Sequence, residues 1–114
     1  MSRYLILLSK NCPKYCSNPV ALIAPVSTVA ASTTVASSIA SVAILAANAN
    51  RKGATIWNAS TATLFMDLDA AATAADYAAK LDPGGYYEVP FGFTGAISGI
   101  WSAANGNALV REFS

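Results

Sequence analysis

The sequence predicts a mainly β fold, a small antiparallel β-sandwich or barrel preceded by an extended N-terminal arm. Two observations lead to this prediction. Short stretches with strand-like alternation of side chains recur along the chain, and turn signals rich in Gly, Pro and Asn separate them. About six short strands can be counted in this way, a number and spacing typical of sandwiches and barrels. No segment requires a long helix.

The chain of 114 residues is long enough for one domain and an arm. Residues 1–34 are predicted to form the arm, which is extended or becomes ordered on assembly, and residues 35–114 the β-sandwich domain. The uncharged segment 20–34 fits either the arm or a first strand. Cys12 and Cys16 are interpreted as free thiols, with a local disulfide as the alternative; a zinc site would need further ligands, and the chain has no His.

The first three strands are predicted at 38–46, 54–58 and 63–68. Segment 38–46 is apolar on both faces, as in a sandwich interior. In segment 54–58 the period of two places Ile56 and Trp57 on opposite faces. Segment 63–68 alternates most clearly, with Leu64 and Met66 on one face.

The sequence does not decide the structure of segment 69–80. Its alanines favour a helix, but its place between two strands favours a loop or a single helical turn. The turn signal of Asp82 to Gly85 follows, because Pro fixes the first turn dihedral and Gly accepts a positive φ. A strand at 86–90 comes next, and Pro90 either ends it or marks a sheet edge.

The last two strands are predicted to form a hairpin. Segment 96–102 places Ile97 and Trp101 on one face. Asn105-Gly106 suits the type I′ turn of a two-residue hairpin. Residues 108–113 are therefore expected to run antiparallel to residues 97–102.

The charge content separates this chain from ordinary soluble domains. Charged residues make up 11% of it, against about 25% in a typical globular domain. Because surface charge keeps proteins apart in solution, we expect much of this surface to be covered by other subunits, and we expect a homo-oligomer. The net charge is +1 and the basic residues are scattered, so no nucleic-acid partner is expected.

A small membrane-anchored protein is the competing interpretation of residues 20–47. This stretch is uncharged and long enough to span a bilayer. Its many Ser and Thr residues, its few Leu residues and Pro25 count against a span, since membrane helices normally have a denser apolar core. Membrane contact is therefore the minor alternative.

The residues that could carry chemistry are few. Without His, acid–base catalysis would fall to scattered carboxylates. Asp67 and Asp69 are interpreted as closing an exposed strand end rather than as a metal site, because calcium needs six or more oxygen ligands. Glu88 is expected to form a structural ion pair with Arg51 or Arg111. The prediction is a protein that is not an enzyme and has no cofactor, metal or small-molecule substrate.

Aromatic and arginine side chains near the turns are the candidates for contacts with other subunits. Core and interface packing is the favoured role of the aromatic rings, and a carbohydrate-stacking surface is the alternative. Tyr86 and Phe93 are the first choices for exposed positions. The full set of interface candidates is Arg51, Trp57, Tyr86, Tyr87, Phe91, Phe93 and Arg111.

Segment 46–113 resembles a group of small structural proteins of tailed-phage virions. The order and spacing of particular residues carry the resemblance, and residues 1–34 lie outside it. These residues are Arg51, Gly53, Ile56, Asn58, Ser60, Pro83, Gly84, Tyr87, Glu88, Pro90, Thr94, Gly95, Gly99, Ile100, Trp101 and Glu112. The resemblance implies a virion component assembled in the host cytoplasm.

Two virion roles follow as expectations. The first is a capsid cement or decoration protein that binds the shell of major capsid protein, with the arm helping it to dock. The second is a tail, baseplate or fibre component that contacts other virion proteins and a host glycan. The first role requires many copies in each particle and the second requires few.

Overall fold

Eight antiparallel strands form the domain in the computed structural model, which describes residues 26–114. Period-2 alternation of more and less buried residues runs through four of them, as expected for strands with one face on a core. The strands are β1 (Ala30–Ala36), β2 (Val42–Leu45), β3 (Gly53–Asn58), β4 (Leu64–Asp67), β5 (Ala79–Leu81), β6 (Tyr86–Val89), β7 (Ile97–Trp101) and β8 (Asn107–Phe113).

The strands make two four-stranded sheets. Sheet 1 has the order β1-β8-β3-β6 and sheet 2 the order β2-β7-β4-β5, with antiparallel neighbours throughout. Their apolar faces meet in one core cluster, to which both sheets contribute fully buried side chains. The predicted fold class, a small antiparallel sandwich, is confirmed.

Alternation along the strands fills this core. Ile56 and Val110 are register partners on the inner face of sheet 1, and both are 0% exposed. Leu64 and Met66 are likewise 0% exposed, on the inner face of sheet 2. They share this face as predicted from the pattern of segment 63–68. Trp57, between two buried neighbours in β3, points outward, which confirms the predicted opposition of Ile56 and Trp57.

Gly99, at the centre of β7, leaves room in the core for side chains of the neighbouring strands β2 and β4. A Cβ atom at this position would lie 2.5 Å from Ile44 Cδ1 and 2.8 Å from Leu64 Cδ1. The missing side chain is therefore a packing requirement, since cores at native density have no room for an added carbon.

The first strand begins earlier than the predicted domain boundary. Ala30 to Ala36 pair with β8 over the whole strand, so a boundary between residues 34 and 35 would cut β1. The segment 20–34 thus supplies a strand from Ala30 onward, the second of the two options that the sequence left open. Residues 1–25, which include Cys12, Cys16 and most of the predicted arm, lie outside the described residues.

The predicted hairpin between 97–102 and 108–113 is wrong. β7 pairs with β2 and β4 in sheet 2, and β8 pairs with β1 and β3 in sheet 1. Asn105-Gly106 is part of a turn, with Gly106 at φ 89°, but this turn crosses between the sheets. Trp101 and Val110 can then both point into the core from opposite layers.

Segment 69–80, for which the sequence left a helix and a loop as alternatives, contains no helix. Its residues form bends and a loop up to β5. The loop reaches the far edge of sheet 2, where the Ala72 N–H donates to Ser41 Oγ at 2.9 Å. It returns so that the Tyr77 ring lies 5.0 Å from that of Phe65 on the outer side of β4. Part of the outer face of sheet 2 is covered in this way, and Ser98 there is 1% exposed.

Residues 26–114 include no helix of the length and apolarity that a membrane crossing needs. Within the stretch 20–47, for which a span was the competing prediction, β1 and β2 occupy 30–36 and 42–45 and belong to different sheets.

Candidate interaction surface

Arg51, an interface candidate from the sequence, is not at the surface. It is 2% exposed, and its Nε donates to Glu112 Oε2 at 2.7 Å. Its Nη1 donates to the carbonyl oxygens of Phe93 at 3.2 Å and Gly95 at 2.7 Å, and its Nη2 to that of Ala46 at 2.5 Å. A buried guanidinium needs such partners, because an unpaired charge in the interior is very costly. Arg51 therefore holds loops of sheet 2 to the end of sheet 1.

Asn58 has the same role at the other end of β3. Its Nδ2 donates to the carbonyl oxygens of Ala62 at 2.7 Å and Leu81 at 2.9 Å. Its Oδ1 accepts from Ser60 Oγ at 2.6 Å and Trp101 Nε1 at 3.3 Å. Asn58 is 0% exposed, so the Asn-Ala-Ser sequence here is an internal hydrogen-bonding unit.

These two polar clusters, which we call the Arg51 clamp and the Asn58 clamp, use most of the distinctive polar residues of segment 46–113. Arg51, Asn58, Ser60, Trp101 and Glu112 all carry the resemblance stated above, and all five have structural contacts. The predicted pair of Glu88 with Arg51 or Arg111 is absent; Glu112 is the partner of Arg51 instead.

The outer face of sheet 1 bears a row of large exposed side chains. In register across the sheet lie Thr34 of β1, Leu109 of β8, Trp57 of β3 and Tyr86 of β6. Trp57 is 53% exposed, Tyr86 56% and Leu109 39%. Directly opposed strand residues have Cβ atoms about 5 Å apart, so these side chains form one continuous apolar row, which we call the aromatic row.

The next row toward the opposite end of the strands is polar. It consists of Ser32, Arg111, Thr55 and Glu88, again in register. The Arg111 guanidinium donates to the carbonyl oxygen of Val110 at 3.1 Å, and no ion pair with Glu88 forms among the described residues. Arg111 and Glu88 therefore lie on either side of Thr55, and they are the two charged residues of this row.

Tyr86 and Glu88 connect the two rows along β6. The Tyr86 hydroxyl donates to Glu88 Oε2 at 3.1 Å. Desolvation, this hydrogen bond and the negative charge of Glu88 together raise the pKa of Tyr86 above its ordinary value. The protonated phenol is the donor of this hydrogen bond, and its ring lies on the outer face.

A shallow groove lies beyond the polar row, at the end of this same face. It has a volume of about 360 Å³. Its rim includes Phe91, which is 68% exposed, and Phe113, and Gly53 leaves space between the strands because it has no side chain. Glu88 and Thr55 supply its polar groups.

The remaining interface candidates divide by exposure. Phe91 and Arg111 are exposed, as Tyr86 and Trp57 are. Tyr87 and Phe93 are half-buried and pack against the core cluster, so the expectation that Phe93 is one of the most exposed aromatics is wrong. Phe93 is covered in part by the backbone at Gly95, where an added Cβ would lie 2.8 Å from its ring.

Leu109 and Phe113 belong to this surface but were not among the candidates. Their place depends on β8 pairing with β3, a contact between distant parts of the chain. The alternation of segment 108–113 was the available signal, but it could not say which strand lies beside β8 or whether the outer face is covered.

The carboxylates do not converge elsewhere. Asp67 and Asp69 each accept a hydrogen bond from the next backbone N–H, at 2.9 Å and 2.7 Å. Among residues 26–114 no three His, Cys, Asp or Glu residues lie close enough to hold a metal ion.

No family model, curated protein or solved structure matches this chain. The aromatic row, the polar row and the groove are therefore interpreted from their own chemistry.

Proposed function

We propose that the protein is a non-enzymatic structural subunit of a phage virion, a cement or decoration protein that binds the major capsid protein shell through the outer face of sheet 1. The aromatic row is the observation that supports this. Trp and Tyr are the residues most enriched among energetically dominant interface contacts. Exposed together on a rigid sheet, they would gain much from being covered by a partner.

The two outer faces differ in a way that favours sheet 1. The loop between β4 and β5 crosses sheet 2 and packs Tyr77 on Phe65. The aromatic row and the groove of sheet 1 are open. A monomer rarely leaves a contiguous apolar patch bare without an interaction to serve.

The virion setting comes from the resemblance of segment 46–113, and the low charge agrees with it. Only Arg111 and Glu88 bring charge to the strands of the outer face of sheet 1. Covering such a surface requires little desolvation of charged groups, which is one of the costs of forming a protein interface. Repeated copies on a symmetric shell would then add many weak contacts into stable attachment.

Purified particles and recombinant protein give the test. Quantitative mass spectrometry of virions purified from cells that express the chain during infection should find it in large numbers relative to tail proteins. The double variant Trp57→Ser/Tyr86→Ser should lose at least about tenfold in affinity for undecorated shells, since removing two interface anchors typically costs more than 1 kcal/mol each.

Ile39→Ser is the matched control, because Ile39 is 68% exposed and lies outside this surface. It should bind shells as the wild type does. Absence of the chain from particles would overturn the virion assignment. If the double variant binds shells as tightly as the wild type does, the outer face of sheet 1 is not the docking face. The virion assignment would then be judged by the copy number alone.

The groove favours a second candidate function, a tail, baseplate or fibre component that contacts a host glycan. Aromatic rings beside carboxylate and hydroxyl groups suit a sugar, which presents apolar C–H faces and hydroxyl edges. Phe91, Glu88 and Thr55 supply these groups.

A low copy number together with glycan binding that is lost in Phe91→Ala would support this second role. Phe91→Ala should leave shell binding unchanged if the aromatic row alone is the docking site. If neither the wild type nor Phe91→Ala binds glycans at millimolar concentration, the groove is excluded as a sugar site.

A further inference from the structure

The edge formed by β1 has properties that the other sheet edges lack. Within the described part of the chain, β1 pairs with β8 and has no strand on its other side. Its sequence, Ala-Ala-Ser-Thr-Thr-Val-Ala, is uncharged, and all seven residues except Val35 are exposed. Ala31 and Thr33 point to the same side as the core residue Val110 but are still exposed, so no strand of sheet 2 covers them.

Hydrogen bonds at the ends of β1 show which backbone groups face the open edge. Val29 and Ser114 exchange two hydrogen bonds, at 3.0 Å and 2.9 Å, and the Ser37 N–H donates to the Gly106 carbonyl at 3.1 Å. In an antiparallel ladder, residues that bond to a given neighbour alternate with residues that bond away from it. The odd-numbered residues thus bond to β8, and Ala30, Ser32, Thr34 and Ala36 direct their N–H and C=O groups outward.

The other three edge strands have features that block pairing with another chain. β2 has four residues and a shift of register between Ala43 and Leu45. β5 has three residues, one of them Lys80. β6 has Glu88 and is followed by Pro90. Short length, bulges, charge and Pro are the usual protections of a sheet edge, and β1 has none of them between Ala30 and Ala36.

We propose that β1 pairs antiparallel with β1 of a second copy of this chain, about a two-fold axis at Thr33. The register then places Ser32 opposite Thr34, Ala31 opposite Val35 and Ala30 opposite Ala36. Every outward N–H and C=O of the four even-numbered residues gains a partner. The two copies of sheet 1 become one continuous eight-stranded sheet.

The strand itself argues for a second copy over an unrelated strand. A two-fold pairing needs a sequence that tolerates its own reversal, and β1 has small residues at both ends and no charge that would meet its like. Like charges directly opposite each other destabilise a strand pair. Because Thr34 ends the aromatic row, this pairing would also bring the outer faces of two copies side by side.

Cross-linking tests the register. In a full-length background with Cys12→Ser and Cys16→Ser, Thr33→Cys should form a disulfide-linked dimer under mild oxidation with oxidised glutathione. Thr33 lies on the axis in a pair without hydrogen bonds, where the Cα atoms are about 4.5 Å apart, within disulfide range. Thr34→Cys is the matched control; its copies are offset along the strands, so it should cross-link far less.

Sedimentation velocity over a concentration series tests the edge without a covalent bond. The full-length wild type should reach a dimer. Thr34→Pro should sediment as a monomer, because it removes an outward N–H while keeping those that bond to β8. Thr34→Val keeps the N–H and should still dimerise.

Far-UV circular dichroism identifies a misfolded variant. If Thr34→Pro loses its strand signal, Thr34→Lys replaces it, since an edge Lys blocks pairing without touching the backbone. A monomeric wild type at every concentration, or equal cross-linking by the Thr33→Cys and Thr34→Cys proteins, would overturn the proposal. These outcomes do not depend on shell binding, so they stand apart from the proposed function.

Discussion

Asn58 uses both ends of its amide inside the core, so its replacement is expected to be costly. The Nδ2 end faces the carbonyl oxygens of Ala62 and Leu81. A carbonyl oxygen can only accept a hydrogen bond, so the group facing it must be a donor. The Oδ1 end, in contrast, accepts hydrogen bonds from the donors Ser60 and Trp101. Only an amide has both the donor and the acceptor that these two sets of partners require.

Asn58→Asp is therefore expected to destabilise the protein by about 3 kcal/mol or more at pH 7. The new carboxylate would be buried with an oxygen against the carbonyl oxygens of Ala62, Leu81 and Asp82, and an unpaired buried charge is among the costliest changes. Urea unfolding followed by Trp fluorescence measures the loss. Asn105→Asp, at an exposed turn position, is the control and should change stability by less than about 0.5 kcal/mol. A similarly small effect at residue 58 would contradict the role given to its amide.

At the scale of the element, the turn between β7 and β8 decides the topology. Gly106 has φ 89°, and a Cβ there would lie 2.6 Å from the Cα of Ser60. The backbone could not move away without disturbing the Asn58 clamp, of which Ser60 is a member. This glycine thus has two requirements at once, a left-handed conformation and a missing side chain.

Gly106→Ala should cost roughly 2–4 kcal/mol, of which about 1 kcal/mol comes from the positive φ and the rest from the clash. Gly92→Ala is a control that separates the two terms, because Gly92 has φ 83° with no atom within 4 Å of the added Cβ. It should lose only the conformational part, about 1 kcal/mol. Thermal unfolding of both variants gives the comparison, and equal losses would show that the contact with Ser60 is not limiting.

The same turn shows how far the sequence could predict this fold. Alternation correctly located β3, β4, β6 and β7 and placed Ile56 and Trp57 on opposite faces, because the period of two depends only on local residues. Asn105-Gly106 correctly predicted a turn. A positive φ serves a hairpin and a crossing between sheets equally well, so the local signal could not say which strands the turn joins.

The prediction of surface residues was limited in the same way, because local signals do not reveal contacts between distant parts of the chain. Trp57 and Tyr86 were expected at interfaces and do lie on an outer face, since alternation and turn position are local signals. The burial of Arg51 could not be foreseen, because its partners come from as far as Glu112. Leu109 joins the surface only through non-local pairing of β8 with β3. The uncharged strand β1 gave little pattern of its own, because neither of its faces is buried.

Across the whole molecule, two clamps at opposite ends of β3 hold the sheets together. The Arg51 clamp joins the start of β3 and the end of β8 to the loops next to β2 and β7. The Asn58 clamp joins the end of β3 to β7 and to the last residue of β5. Asn58 follows Arg51 by seven positions along the chain, a distance of about 23 Å for extended backbone.

Mild changes in the two clamps test whether the sandwich unfolds as one unit. Glu112→Gln removes the counter-charge of buried Arg51 and should cost about 2 kcal/mol, as for a hydrogen bond to a charged group. Ser60→Ala removes the hydroxyl that donates to Asn58 Oδ1 and accepts from the Ala62 N–H and should cost about 1–2 kcal/mol. The sum leaves a typical domain folded, so the double variant can be measured by urea unfolding.

The two losses should add to within about 0.5 kcal/mol, because the clamps share no partner and lie far beyond contact distance. Additivity with a single transition means that each clamp contributes to one cooperative unfolding step. A double variant that loses much less than the sum would mean that the clamps are coupled through the packed core, so that opening one end already releases the other. Two separate transitions would mean that the ends unfold independently, and the outer face of sheet 1 would then not be the rigid surface that a docking role requires.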